Sequence, residues 1–142
     1  MPAKLSRDEL AKIEVRPSDV KQHLRFQAEA SVRHACLYFE VEPPALRYFD
    51  SIGAAAGFNG LYFGDQAAEI WLRVEVWGEH GPTGSEISHS ALHEAFHHVC
   101  RVLTGRTNAD ATEEADAKYF ASHFDQICRE EHFLGAGFSG VY

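Results

Sequence analysis

The sequence predicts an α+β domain: a small twisted, mostly antiparallel sheet packed on helices. Three observations predict it. Ala68 to Trp77 alternates with a strict period of two, the mark of a strand with one buried face. Long stretches before and after it repeat apolar residues at helical spacing. Several of those stretches open on helix-start patterns. The chain has 142 residues, 45% hydrophobic and 12% aromatic, enough for one real core. It reads as one domain over 1–142, with a helical part at 1–42, sheet plus helices at 43–130 and a tail at 131–142.

Residues 1–17 read as a leader with a helical turn or two. Ser6-Arg-Asp-Glu9 is a capping-box pattern, and Pro17 bounds the helix it could start. Ser18 is then placed to cap a long helix to about Phe39. Its stripe is Val20, Leu24, Ala28, Val32, Ala35, Cys36 and Phe39, with Arg25 and Arg33 off it and His23 and His34 as surface residues. Pro43-Pro44 stops this helix. Ala45 to Asp50 reads as a short strand, Gly53-Ala-Ala-Ala-Gly57 and Asn59-Gly60 as turns, and Leu61 to Phe63 as a second strand. In the clearest strand Ile70, Leu72, Val74 and Val76 face the core. Glu69, Trp71, Arg73, Glu75 and Trp77 face the other way, so the two tryptophans need either a covering segment or a role in a groove.

Thr83 and Glu86 form a capping box for the next helix, and Gly105 ends it. Leu92, Ala95, Phe96, Val99, Val102 and Leu103 make its apolar stripe. Asp110 and Glu113 open a last helix to about Arg129, packed through Ala117, Phe120, Ala121, Phe124 and Cys128. The tail from Glu131, glycine mixed with apolar residues, reads as irregular.

Thirteen basic and 21 acidic residues give a net charge of −8, which argues against a nucleic-acid binder. No run approaches a membrane span or a signal-peptide core. Cys36, Cys100 and Cys128 form no Cys-x-x-Cys pair and read as reduced thiols, so a cytoplasmic protein is expected.

The chemistry concentrates in His93-Glu94-Ala-Phe-His97. Residues four apart share a helix face, so His93 and His97 can aim two imidazoles at one metal ion. Glu94 projects about 100° round the helix and can reach a water without being a ligand, the arrangement of zinc peptidases. Both histidines lie about 120–160° from the centre of their helix's apolar stripe, so they look across at another element. A catalytic zinc takes three protein ligands, and the short connection makes the next helix a neighbour. Of its carboxylates, Glu113 and Glu114 stand nearly level on geometry, with Asp116 behind. His98 and His123 read as surface residues. Cys100 reads as a packed thiol that shares the histidine face.

His-Glu-x-x-His followed by Glu114-Ala-Asp-Ala117-Lys118-Tyr-Phe120-Ala121 resembles the gluzincin metallopeptidases, in particular the ImmA/IrrE-like group and the minigluzincins. Their second helix reads Glu-x-x-Ala-Asn/Asp-x-Phe-Ala. The likeness covers about residues 43–126. It implies a zincin-like fold with an active-site helix and a glutamate helix, and one Zn2+ per chain held by His93, His97 and Glu114. It further implies Glu94 as general base and a substrate lying along an edge strand, here Ile70–Val76. Ile70, Trp71, Leu72 and Val74 are then the substrate-binding candidates, with Trp71 or Trp77 lining a specificity pocket. Lys118 stands where the family has Asn or Asp. Lysine cannot accept a hydrogen bond from a ligand histidine, which leaves that role to Asp110, Asp116 or a backbone carbonyl. His89, His80 and Tyr62 are candidate oxyanion donors. The implied activity is zinc-dependent endopeptidase with a peptide or protein substrate; a deep likeness to the ImmA/IrrE-like group would add a regulatory role. The alternatives are a degenerate zinc- or peptide-binding module, or a latent peptidase blocked by its C-terminal tail.

Overall fold

The computed structural model describes residues 5–76, 81–106 and 108–139, with side chains as far as residue 129. Four helices, α1 (Arg7–Ala11), α2 (Gln22–Tyr38), α3 (Gly84–Thr104) and α4 (Ala111–Ser139), pack with four strands: β1 (Glu14–Val15), β2 (Ala45–Asp50), β3 (Gly60–Phe63) and β4 (Glu69–Val74). The architecture is α+β, a small open sheet on helices, as the sequence predicts. Strand order is β1-β2-β4-β3. The outer pairings, β1–β2 and β3–β4, are antiparallel, and the central β2–β4 pairing is parallel.

Both capping boxes predicted for α1 and α3 form. Ser6 and Glu9 satisfy each other's backbone N–H, as do Thr83 and Glu86. Gly105 closes α3 at φ +78, returning its N–H to the Arg101 carbonyl. Ser18 does not cap α2. Pro17–Asp19 forms a 3-10 turn, and the helix starts after Lys21. β1 is too short to leave a pattern in the sequence.

The sheet is buried on both faces. Tyr48, Ile70, Leu72 and Val74 pack with Leu24, Val32, Ile87, Ala91, Ala95 and Phe120 from α2, α3 and α4. On the other side Phe49, Leu61 and Trp71 pack with Leu5, Leu10 and Ala55. The N-terminal segment thus covers the face expected to be wet, and Trp71 is 1% exposed. Arg47 lies over the Trp71 ring at 4.8 Å, holds both Glu14 oxygens at 2.8 Å and reaches Glu69 at 2.9 Å.

This corrects the expected substrate strand. β4 lies between β2 and β3, so its backbone is paired on both sides. Ile70, Trp71, Leu72 and Val74 are each no more than 2% exposed; they are core, not groove. The edge strands are β1 and β3, and β3 is the one beside the histidine helix.

α2 and α3 run side by side in the same direction: Gln27 lies against Gly84, the Ser31 and Ser88 hydroxyls meet at 2.6 Å, and the Phe39 ring just past α2 packs on Phe96. α2 ends seven residues after Ser31, whereas α3 continues sixteen after Ser88. The last turn of α3 therefore overhangs α2. Val102 and Leu103, expected in the stripe, are exposed. α4 continues as helix through Ser139, ten residues beyond its expected end at Arg129, in place of the irregular tail that the glycines predict. No helix among the described residues is long and apolar enough to cross a membrane.

Candidate metal centre

His93 and His97 lie on the face of α3 turned toward the start of α4, four residues apart and one above the other. Asp110 begins α4: its carboxylate accepts from the Glu113 N–H at 2.8 Å and its carbonyl from the Glu114 N–H at 3.0 Å. That start turns two successive glutamates toward the two histidines. Glu114 Oε1 lies 3.1 Å from His93 Nε2 and 3.0 Å from His97 Nε2. The two Nε2 atoms are 3.2 Å apart. His93, His97 and Glu114 are the group among the described residues that could hold a metal ion.

Glu113 does a different job. Its Oε2 accepts from His97 Nδ1 at 2.6 Å, and both side chains are buried. The carboxylate only accepts, so the Nδ1 proton is fixed and Nε2 of a neutral His97 is a bare lone pair. Glu113 therefore fills the orienting role that Lys118 cannot, and neither Asp110, Asp116 nor a carbonyl takes it. Lys118 and Asp116 are exposed. The two glutamates that stood level in the sequence are separated: Glu114 faces the pair of Nε2 atoms, Glu113 the far side of one ring.

The proton count favours a cation at this centre. Burial, and then the neighbouring His97, push the His93 pKa below the usual imidazole value, against the pull of Glu114. A neutral His93 brings at most one Nε2–H to this meeting point. With His97 neutral and its proton on Nδ1, the His97–Glu114 contact at 3.0 Å has two acceptors facing each other. A bound cation satisfies all three atoms, and two imidazole nitrogens with one carboxylate oxygen is a donor set suited to zinc.

A cleft of about 410 Å³ opens over these atoms, lined by Gly60, Leu61 and Tyr62 of β3, by Glu94, and by Arg101, Arg106 and Asn108. Glu94 is 9% exposed and packs against β3. A Cβ on Gly60 would lie 3.1 Å from Glu94 Cγ and 3.3 Å from its Oε2. The glycine permits the close approach of strand and carboxylate.

Other histidines and the thiol fall outside the centre. His98, expected on the surface, is buried: Nε2 donates to the Glu42 carbonyl at 2.7 Å, so Nδ1 accepts from the Tyr62 hydroxyl at 2.8 Å. Burial and Arg101 hold its pKa below the usual value. His98 thus pins α3 to β3 and to the segment before β2. Tyr62 lines the cleft, but its hydroxyl is held by His98, and burial raises its pKa to about 12. His89 is exposed and lines grooves elsewhere. His80 and Trp77 lie outside the described residues. His123 stacks on Tyr119 at 4.1 Å. Burial pushes the Cys100 thiol up to about 11, and its sulfur is not among the atoms that converge at the centre.

Sequence reasoning missed Gly60, Arg101, Arg106 and the buried state of His98. Only Arg101 carried a readable signal, standing four residues after His97 on the same face. No protein-family model matches the chain, and neither the curated proteins nor the solved structures contain a match.

Proposed function

We propose that the protein is a zinc-dependent endopeptidase of gluzincin type. One observation carries the reading: His93 Nε2, His97 Nε2 and Glu114 Oε1 converge within 3.2 Å in a cleft that also holds Glu94. Zinc bound there would supply a Lewis acid that polarises a peptide carbonyl and acidifies a water. Glu94 is the general base. It takes a proton from the attacking water and delivers it to the leaving amine. Its burial against Gly60 keeps it fixed while the reaction proceeds. Glu113 holds the His97 ring in one tautomer. An extended peptide adds to the β3 edge beside Glu94, gaining main-chain hydrogen bonds. The resemblance to the ImmA/IrrE-like group extends the proposal to a regulatory protease with a protein partner as substrate.

One observation favours a second reading, a zinc-binding module that holds a peptide without cutting it. Of the expected oxyanion donors, Tyr62 donates to His98, and His89 lies outside the cleft. Arg101, Arg106 and Asn108 are the uncommitted or partly committed donors that line the cleft among the described residues, and His80 lies outside them.

Metal analysis should find about one zinc per chain, and none in His93→Ala. Glu94→Gln should retain zinc and lose peptide cleavage. Cleavage by Glu94→Gln at the wild-type rate would sink the catalytic reading. Wild type that binds peptides without cutting them would establish the module.

A further inference from the structure

The two arginines of the cleft have different partners. Arg106 is committed to carboxylates: Nη1 bonds Asp110 at 3.2 Å, and Nη2 lies 3.6 Å from Glu113. Among the described residues Arg101 makes one hydrogen bond, from Nε to the Gly64 carbonyl at 3.0 Å. No ion pair to Arg101 is found among the described residues. The carboxylates lining the cleft, Glu94, Glu113 and Glu114, belong to the centre itself.

Arg101 is nonetheless held in place. A Cβ on Gly64 would lie 3.1 Å from Arg101 Cγ and 2.9 Å from the Tyr62 hydroxyl. The glycine leaves room for the arginine stem to lie against β3. The Nε bond then anchors the planar head and leaves the Nη1–Nη2 fork for another acceptor. That fork matches a carboxylate with two parallel N–H···O bonds. The anchoring lowers the rotamer entropy that a ligand would otherwise have to overcome.

We propose that Arg101 forms an anion subsite of the cleft, binding a carboxylate of the peptide that lies along β3. The carboxylate is either an acidic side chain or the peptide's own C-terminus. The subsite's meaning for substrate choice rests on the peptidase reading; its existence as a binding site does not. Arg101 lies one turn beyond His97, about 6 Å along α3. An extended peptide advances about 3.3 Å per residue. The recognised carboxylate is therefore within about three residues of the scissile bond.

The test uses zinc-loaded Glu94→Gln protein, which holds peptides without turning them over. It is titrated with labelled, acetylated and amidated octapeptides of neutral sequence in which one glutamate is moved a position at a time. A second series has free C-termini at decreasing lengths. One placement should bind about tenfold or more tighter than the all-neutral peptide. A gain confined to the glutamate series assigns a side chain; a gain confined to the free-acid series assigns the C-terminus. In Arg101→Gln, added to the same background, the gain should vanish while zinc content stays at one per chain. Arg101→Lys, which keeps the charge and most of the stem but loses the fork, should retain only part of it.

No gain at any position, or a gain that survives Arg101→Gln, overturns the subsite. Cleavage of the same peptides by wild type is followed in parallel. Cutting without acidic preference removes the subsite and leaves the peptidase. Acidic preference in binding without cutting removes the peptidase and leaves the subsite.

Discussion

Replacing Glu113 by alanine should weaken zinc binding about ten- to a hundredfold while leaving all three ligand atoms in place. The carboxylate meets His97 Nδ1 at 2.6 Å, with the two side chains 5% and 8% exposed. A hydrogen bond to a charged group in such a setting contributes about 1.5–3 kcal/mol. At about 1.4 kcal/mol per decade this is a loss of roughly ten- to 150-fold. Partners of ligating histidines independently cost about 10–100-fold when removed. The Arg106 contact adds little, because that side chain is 49% exposed and water screens it. Glu113→Gln keeps the shape and an acceptor oxygen, so it should fall at the low end. The assay is competition with a chromophoric chelator at fixed pH, with Glu114→Gln as the variant that loses a ligand. Glu113→Ala within twofold of wild type would refute the orienting role. Glu113→Ala losing zinc as completely as His93→Ala would make Glu113 a ligand instead.

Gly60→Ala should retain zinc but lower kcat about tenfold or more, because the new Cβ, 3.1 Å from Glu94 Cγ, shifts the base; paired zinc and rate measurements check it. The metal-free protein should lose stability on acidification below about pH 6.5. Buried His98 has a folded pKa below 6.5, so the unfolded chain takes up a proton first, and stability is complete above 6.5 and declines as pH falls toward the folded value. His93 acts in the same direction, so His98→Gln should flatten the slope only in part; urea midpoints at two pH values read it, and an unchanged slope contradicts it. Deleting residues 131–142 should leave zinc content and cleavage unchanged. Continuous helix places Ser139 about 37 Å along the α4 axis from Glu114, out of reach of the cleft. A rise in activity on deletion would restore the blocked-tail alternative.

The helices of the centre were legible because their signals are local. Thr83, Glu86 and Gly105 bracket α3, and Asp110 marks the start of α4. The His93–His97 spacing reads directly as one face. The features that escaped the sequence depend on residues distant in the chain. The alternation of β4 was plain, but Trp71 is covered by Leu5 and Leu10, some sixty residues earlier. Period two says that the faces differ, not that one of them is wet. The same strand's place between β2 and β3 follows from pairing order, which short strands do not encode locally. The burial of His98 leaves no local trace because α3 packs on several sides at once, and β3 and Glu42 approach it from outside the helix's main seam. Glu113 and Glu114 lie one residue apart, and only the rotation of α4 about its axis separates their roles.

That rotation gives Asp110 a significance beyond capping. Its side chain and carbonyl accept from the N–H groups of Glu113 and Glu114, so the residue that begins the helix also sets the angle at which both glutamates leave it. An added residue before Asp110 only lengthens a loop. An added residue between Asp110 and Glu113 turns every later side chain by about 100° and carries Glu114 away from the histidines. The candidate metal centre is therefore calibrated by counting from Asp110.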